Sequence, residues 1–271
     1  MIYDPPMFVF VSDKYLNCLP IWCYTFNKFW KPKKHVKILG YKTPNFNLPS
    51  NFEFISMGEQ VGGPENWSTP IRNYFETRHS WEENHIQWAT EDSFLWGDVN
   101  FESYYYLTSY CQKNKGVGRV ALTNDIVNLS GGHDVVEENL IKLQPNVNFR
   151  SSGTWSIFSK SLFFELMKPN ISPWDFEGES SMNEKTGMRS VIRHYTLDDW
   201  DVIGLNSNQP LRTVCAIRTS RGINVDRAMK LPLDLRPINE KKYDIYNCNV
   251  AKELREIGYL DEKNRLIEEK N

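Results

Sequence analysis

Two groups of acids stand where a chain could use them for chemistry. Glu91 and Asp92 are adjacent and follow directly on Ile86-Gln87-Trp88-Ala89, which reads as a short buried strand. Hard carboxylate oxygens at a strand end can hold a divalent cation such as Mn²⁺ or Mg²⁺, which in turn neutralises a diphosphate. The plain alternative is a pair of solvated loop acids. The second group lies in "SPWDFEGES", Ser172 to Ser180, where Trp174 and Phe176 interleave with Asp175 and Glu177. Aromatic faces stack on sugar rings while a carboxylate accepts a hydroxyl proton, so the stretch reads as a sugar-binding loop. It reads equally as a capped turn with two buried rings and two solvated acids.

Other chemistries find no pattern to rest on. The sequence has no GxxxxGK[ST] loop, no GxGxxG after a strand and no GxSxG elbow. Gly62-Gly63-Pro64 and Gly131-Gly132-His133 read as turns, and neither His133 nor His194 has a nucleophile set beside it by sequence. Five cysteines, Cys18, Cys23, Cys111, Cys215 and Cys248, are odd in number and lack metal-ligand spacing, so reduced thiols are expected and zinc is not. A net charge of -2 gives no general attraction to phosphate backbones, although "KPKKHVK" from Lys31 supplies a local basic stretch. The N-terminal apolar run has five residues, too few for a signal peptide or a membrane span. A cytoplasmic protein is expected, in the host cytoplasm if the source is viral.

The elements that must position these acids follow from apolar patterning. Strands are expected at Met7 to Val11, Val36 to Leu39, Phe52 to Met57, Ile86 to Ala89, Gly118 to Thr123 and Thr154 to Phe158. Helices are expected at Asn17 to Trp30, from about Trp67 through Phe75, at Phe101 to Asn114 and at Lys160 to Met167. This alternation implies an α/β fold with a mostly parallel central sheet flanked by helices, which binds ligands at the carboxyl ends of its strands. Ser12-Asp13 and Glu91-Asp92 both fall at such ends. Residues 1–200 read as the main domain and 201–271 as a less regular C-terminal extension, with a short strand at Thr213 to Ile217 and a final helix near Val250 to Ile257.

The order "SDKY" after the first strand, "NWS" at a helix start, "EDSFL" after a later strand, then "WSIFSK" and "PWDFE", resembles a group of small GT-A-type glycosyltransferases of bacteria and large DNA viruses. The matches run from about Phe8 to Met182. The resemblance implies a GT-A-like fold and sugar transfer from a nucleotide sugar, with a uridine diphosphate (UDP) sugar favoured, to a hydroxyl. It assigns the donor base and ribose to Ser12 and Asp13 with Tyr15 nearby, and places Trp67, Ser68 and Arg72 beside the donor. The cation, Mn²⁺ or Mg²⁺, falls to Glu91 and Asp92, with His194 as a further ligand, and Trp174 joins the donor contacts. Asp175 and Glu177 become the candidate catalytic bases for the acceptor hydroxyl. The usual acidic motif is Asp-x-Asp, whereas this chain has Glu91-Asp92-Ser93. The expected acceptor is a glycan, with a modified DNA base as the alternative; a binding module without turnover and a nucleotidyltransferase are the rivals.

Overall fold

The apolar runs become strands buried along their length. In the computed structural model, which describes residues 3–95, 97–123, 132–145, 147, 150–177, 179–183, 188–192 and 199–215, β1 is Met7–Phe10, β2 Val36–Gly40, β3 Phe52–Ser56 and β4 His85–Thr90. They are followed by β5 Ser93–Leu95, β6 Val117–Ala121, β7 His133–Val135, β8 Leu140–Leu143 and β9 Ser156–Ser159. The last are β10 Glu179–Asn183, β11 Met188–Ile192, β12 Asp201–Leu205 and β13 Thr213–Cys215. The helices are α1 Leu19–Phe29, α2 Ser68–Thr77, α3 Phe101–Lys113, α4 Lys160–Leu166 and α5 Pro173–Glu177. The fold is α/β. The helix expected near residue 250 lies outside the described residues. No helix among the described residues is long and apolar enough to cross a membrane.

The chain divides into two compact units that interleave in sequence, the boundary falling inside β1. The first comprises residues 1–8, 57–90 and 100–211. Its strands run in the order β4-β9-β6-β12-β8-β7, with α3 and α4 packed on β6. Only β6 and β12 in this row are parallel; the other four pairings are antiparallel. The sheet is therefore mixed, where the helix–strand alternation had implied a mostly parallel one. The reason lies in the connections: β7 and β8 form a hairpin across residues 136–139, and no helix is found among the described residues between β6 and β9 to carry a parallel crossover. Strand β12, which falls in the segment read as a C-terminal extension, lies between β6 and β8.

The core of this unit is aromatic. Trp88 on β4 meets Trp67 edge-on at 6.5 Å and Phe163 at 5.8 Å, while Phe176 on α5 lies 5.5 Å from Trp67 and 5.8 Å from Phe158. Helices α3 and α4 begin in the same way: Asn100 and Ser159 each accept an N–H three residues on, satisfying a helix donor that has no partner within the helix.

The second unit comprises residues 9–56, 91–99 and 212–271. Strands β2 and β3 pair in parallel, and β5 pairs with β13 in antiparallel fashion. Helix α1 buries Trp22 and Phe26, which stack on each other at 5.2 Å, with Phe26 stacking in turn on Trp30 at 5.3 Å. This is the four-residue spacing that sets side chains one above another on a helix face. Gly40, at the end of β2, allows a close approach: a Cβ there would meet the Phe54 ring at 2.8 Å and Val11 Cγ1 at 2.9 Å. The missing side chain lets Val11 lie close to β2, just before Ser12.

Candidate functional site

Strand ends build the candidate site of the second unit. Beyond β1, the Val11 N–H donates to the Leu39 carbonyl, and two residues on Asp13 Oδ1 accepts the Lys42 N–H at 2.9 Å. The two chains leave the sheet in the same direction, so the carboxyl ends of β1 and β2 lie together. Ser56 at the end of β3 donates its hydroxyl to the Tyr41 carbonyl at 2.8 Å, bringing a third strand end to the same place. Asp13 is exposed, and its second oxygen has no hydrogen bond among the described residues. Tyr15 is half-buried, with the Lys14 ammonium 5.3 Å from its ring centre and its own N–H donating to the Ser12 carbonyl.

Glu91 joins this cluster from the other acidic stretch. The backbone amide of Ser12 lies near enough to the Glu91 carboxyl to favour the charged form, so the two strand ends singled out in the sequence lie close together. The residue is 6% exposed, whereas the adjacent Asp92 is half-buried. Burial, and after it the charge of Asp92, holds the Glu91 carboxyl well above the usual carboxylate range; its own backbone amide and that of Ser12 pull it back only in part. Burial thus disfavours the charged form of this acid. Among the described residues no group of three or more His, Cys, Asp or Glu side chains could hold a metal ion. Of the acidic pair, the half-buried Asp92 is the one whose carboxylate suits a cation that keeps waters and takes other oxygens from a phosphate.

A pH dependence follows, and its sign is set by the raised value. A carboxyl whose folded pKa exceeds its unfolded one contributes its full stability below the unfolded value, near 4.5, and loses it as pH rises through the folded value. Stability of the parent should therefore decline on the alkaline side of the ordinary carboxyl range. Glu91→Gln, which keeps an acceptor for Ser12, should flatten that decline. Thermal melts of both proteins from pH 4 to 9 measure it, and parallel curves would show that Glu91 ionises without cost.

In the first unit the structure brings the "NWS" and "PWDFE" stretches together, but by packing. Ser68 donates its hydroxyl to the Lys168 carbonyl at 2.6 Å and accepts the Ile171 N–H at 3.0 Å, while its own N–H donates to the Ile171 carbonyl at 3.3 Å. Trp67 is buried against Phe176. Arg72 donates to the Phe164 and Met167 carbonyls at 2.8 and 3.1 Å and pairs with Glu76 at 2.8 Å. These groups tie α2 to the end of α4, which is the work of a C-terminal helix cap. Ser68 and Arg72, which the resemblance places beside the donor, thus make their described polar contacts to the chain itself.

"PWDFE" is a short helix with a reciprocal cap. Asp175 Oδ2 accepts both the N–H and the hydroxyl of Ser172, at 3.0 and 2.5 Å, while the Ser172 hydroxyl oxygen accepts the Asp175 N–H at 3.2 Å. Such a cap is worth about 1 kcal/mol. Glu177 Oε1 accepts the Gly153 N–H at 2.8 Å and fixes the turn before β9. Phe176 is buried, and Trp174 is 51% exposed. The Ser-x-x-Asp spacing was the sequence signal for this cap. His194 lies outside the described residues.

Lys42 is the member of the strand-end cluster that the sequence did not single out, since its contribution is a backbone N–H that any residue could supply. Comparison with protein-family models and with curated proteins finds no match to this chain.

Proposed function

We propose that this chain is a GT-A-like glycosyltransferase whose nucleotide-sugar donor, a UDP-sugar by preference, binds at the strand ends of the second unit. The observation that carries the reading is the gathering of strand ends: Asp13 accepts the Lys42 N–H, and the buried Glu91 carboxyl lies by the Ser12 amide. Asp13, fixed through Lys42, offers its other oxygen to a ribose hydroxyl, and Tyr15 offers a ring face to the base. Asp92 is the residue that would hold Mn²⁺ or Mg²⁺, with Glu91 behind it. The bound cation would neutralise the leaving diphosphate. Glu91 acts as a positioning residue: it sets Ser12 and orients Asp92.

For the acceptor, the exposed Trp174 supports a sugar-stacking role, and Asp175 and Glu177, which accept hydrogen bonds from Ser172 and Gly153, are the proposed bases. A glycan acceptor fits the slightly acidic chain better than a DNA base, because a DNA enzyme must neutralise several phosphates. A second reading has its own observation. A buried Glu91 whose ionisation is disfavoured, beside the Ser12 amide, is also what a nucleotide- or glycan-binding module without turnover would have.

The test is nucleoside diphosphate release from a panel of nucleotide sugars in Mn²⁺, Mg²⁺ or chelator, with donor binding measured on the same samples. Release from one donor, dependent on the cation, is the expected result. Binding without release under any acceptor tried would favour the module, and neither binding nor release would end the donor-site reading.

A further inference from the structure

The first unit carries a cavity of about 470 Å³ whose lining chemistry is unlike that of the strand-end cluster. One wall is the first part of α3, with Glu102, Ser103 and Tyr106; the other is the β7–β8 turn, with Glu137, Glu138 and Asn139. Three carboxylates face this space, and among the described residues no Lys, Arg or His lines it. A net charge of about -3 at one opening repels phosphates and leaves the acids to water unless a cation enters.

The turn is held in place before any ligand arrives. Asn139 Oδ1 accepts both the N–H and the hydroxyl of Ser207, at 2.8 and 2.7 Å, and Asn139 Nδ2 donates to the Ser207 carbonyl at 2.9 Å. Tyr106 donates its hydroxyl to Glu137, which joins the two walls. Burial, then that hydrogen bond and the carboxylate charge, push the phenol up to about 12, so it remains a donor throughout the physiological range. Ser103 supplies an observation independent of the acids. It is 8% exposed, it lines the cavity, and its hydroxyl makes no hydrogen bond among the described residues. The residue is largely buried while it lines the cavity, so a ligand there could take the hydrogen bond that no described group makes to its hydroxyl.

The type of cation follows from the geometry. No three of these acids converge as ligands for a metal ion. Their charge is instead spread between two elements, α3 and the hairpin turn, and the 39% exposed ring of Tyr106 lies in the same lining. Separated carboxylates, a hydroxyl and an aromatic face match a flexible chain with several ammonium groups. We propose that this cavity binds a linear aliphatic polyamine, its ammonium groups divided between Glu102 on one wall and Glu137 and Glu138 on the other. The site is independent of the sugar-transfer reading.

Isothermal titration of the full chain with spermidine tests it, at low and at high salt. Saturable one-to-one binding that weakens with salt is expected, since exposed ion pairs are screened. Removing two of them in Glu137→Gln/Glu138→Gln should weaken binding about five- to tenfold. Glu102→Gln should weaken it from the opposite wall. Glu82→Gln/Glu83→Gln, the same charge change at exposed acids outside the lining, should leave it unaltered; glutamine keeps an acceptor oxygen for Tyr106 at position 137, and thermal melts of both double variants check that the fold is kept. Absence of saturable binding would overturn the proposal, as would equal weakening by both double variants, which would mean general attraction to an acidic surface. Displacement of spermidine by one equivalent of Ca²⁺ would also overturn it, in favour of a metal site.

Discussion

Trp88→Ala is expected to destabilise the protein by about 3–5 kcal/mol, a large share of the roughly 5–15 kcal/mol that holds a folded domain. Trp88 is fully buried, and its ring is where three elements of the first unit meet: α4 through Phe163, the start of α2 through Trp67, and β4, which carries it. Truncation removes the apolar area of the indole and leaves a cavity that surrounding rings fill poorly. Those rings are committed elsewhere, Trp67 to Phe176 and Phe163 to Phe75 and Phe158. For a chain of this size the loss corresponds to a fall in melting temperature of about 6–20 °C. Trp88→Phe, which keeps an aromatic ring, should lose less. Chemical denaturation of the three proteins measures the effect. A cost below about 1.5 kcal/mol for Trp88→Ala would mean that the cluster collapses into the space, and that Trp67 and Phe163 do not depend on Trp88 for their positions.

Trp88 also shows what could be read without a structure. It lies in an apolar run bounded by polar residues, and such runs were legible: Met7–Phe10, Val36–Gly40 and His85–Thr90 are buried nearly throughout, as strands covered on both faces must be. The helices with a clear apolar period were legible for the same reason. Strand direction was not. Whether Ser156–Ser159 runs parallel or antiparallel to its neighbours depends on connections far away in sequence, and its own residues are equally suited to either. The β7 strand, His133–Val135, is exposed and has no alternation to detect. In the site, the positions of Asp13 and Glu91 at strand ends were legible, but the burial of Glu91 was not. Acids after strands are ordinarily solvated, and only the fold sets Ser12 over this one. The reverse holds for Ser68 and Arg72, whose residue types suit phosphate binding although their contacts are structural.

Asp92→Asn is expected to lower cation-dependent release of nucleoside diphosphate by about 100-fold, with Glu91→Gln retaining most of the activity. A cation at a leaving diphosphate contributes several kcal/mol to the transition state, and each 1.36 kcal/mol is a factor of ten in rate. Asparagine keeps the shape of Asp92 while losing the charge that would hold the cation. The stability change should have the opposite sign. The Asp92 charge is part of what makes ionisation of Glu91 costly, so its removal should leave the melting temperature at pH 8 equal to or above that of the parent. A less active but equally stable protein is the signature of a group retained for function against its electrostatic cost. Glu91→Gln separates position from ligation: it keeps the shape and an acceptor oxygen beside the Ser12 amide, but it carries no charge at any pH. If Glu91 sets Ser12 and Asp92 holds the cation, the Gln variant should show an unchanged cation requirement and a KM close to the parent's. Equal losses in the two variants would make Glu91 a ligand in its ionised form, and a fully active Asp92→Asn would take the acidic pair out of the chemistry. In that event the cluster of Ser12, Asp13, Lys42 and Glu91 would remain a set of joined strand ends, and its hydrogen bonds would be explained by folding alone.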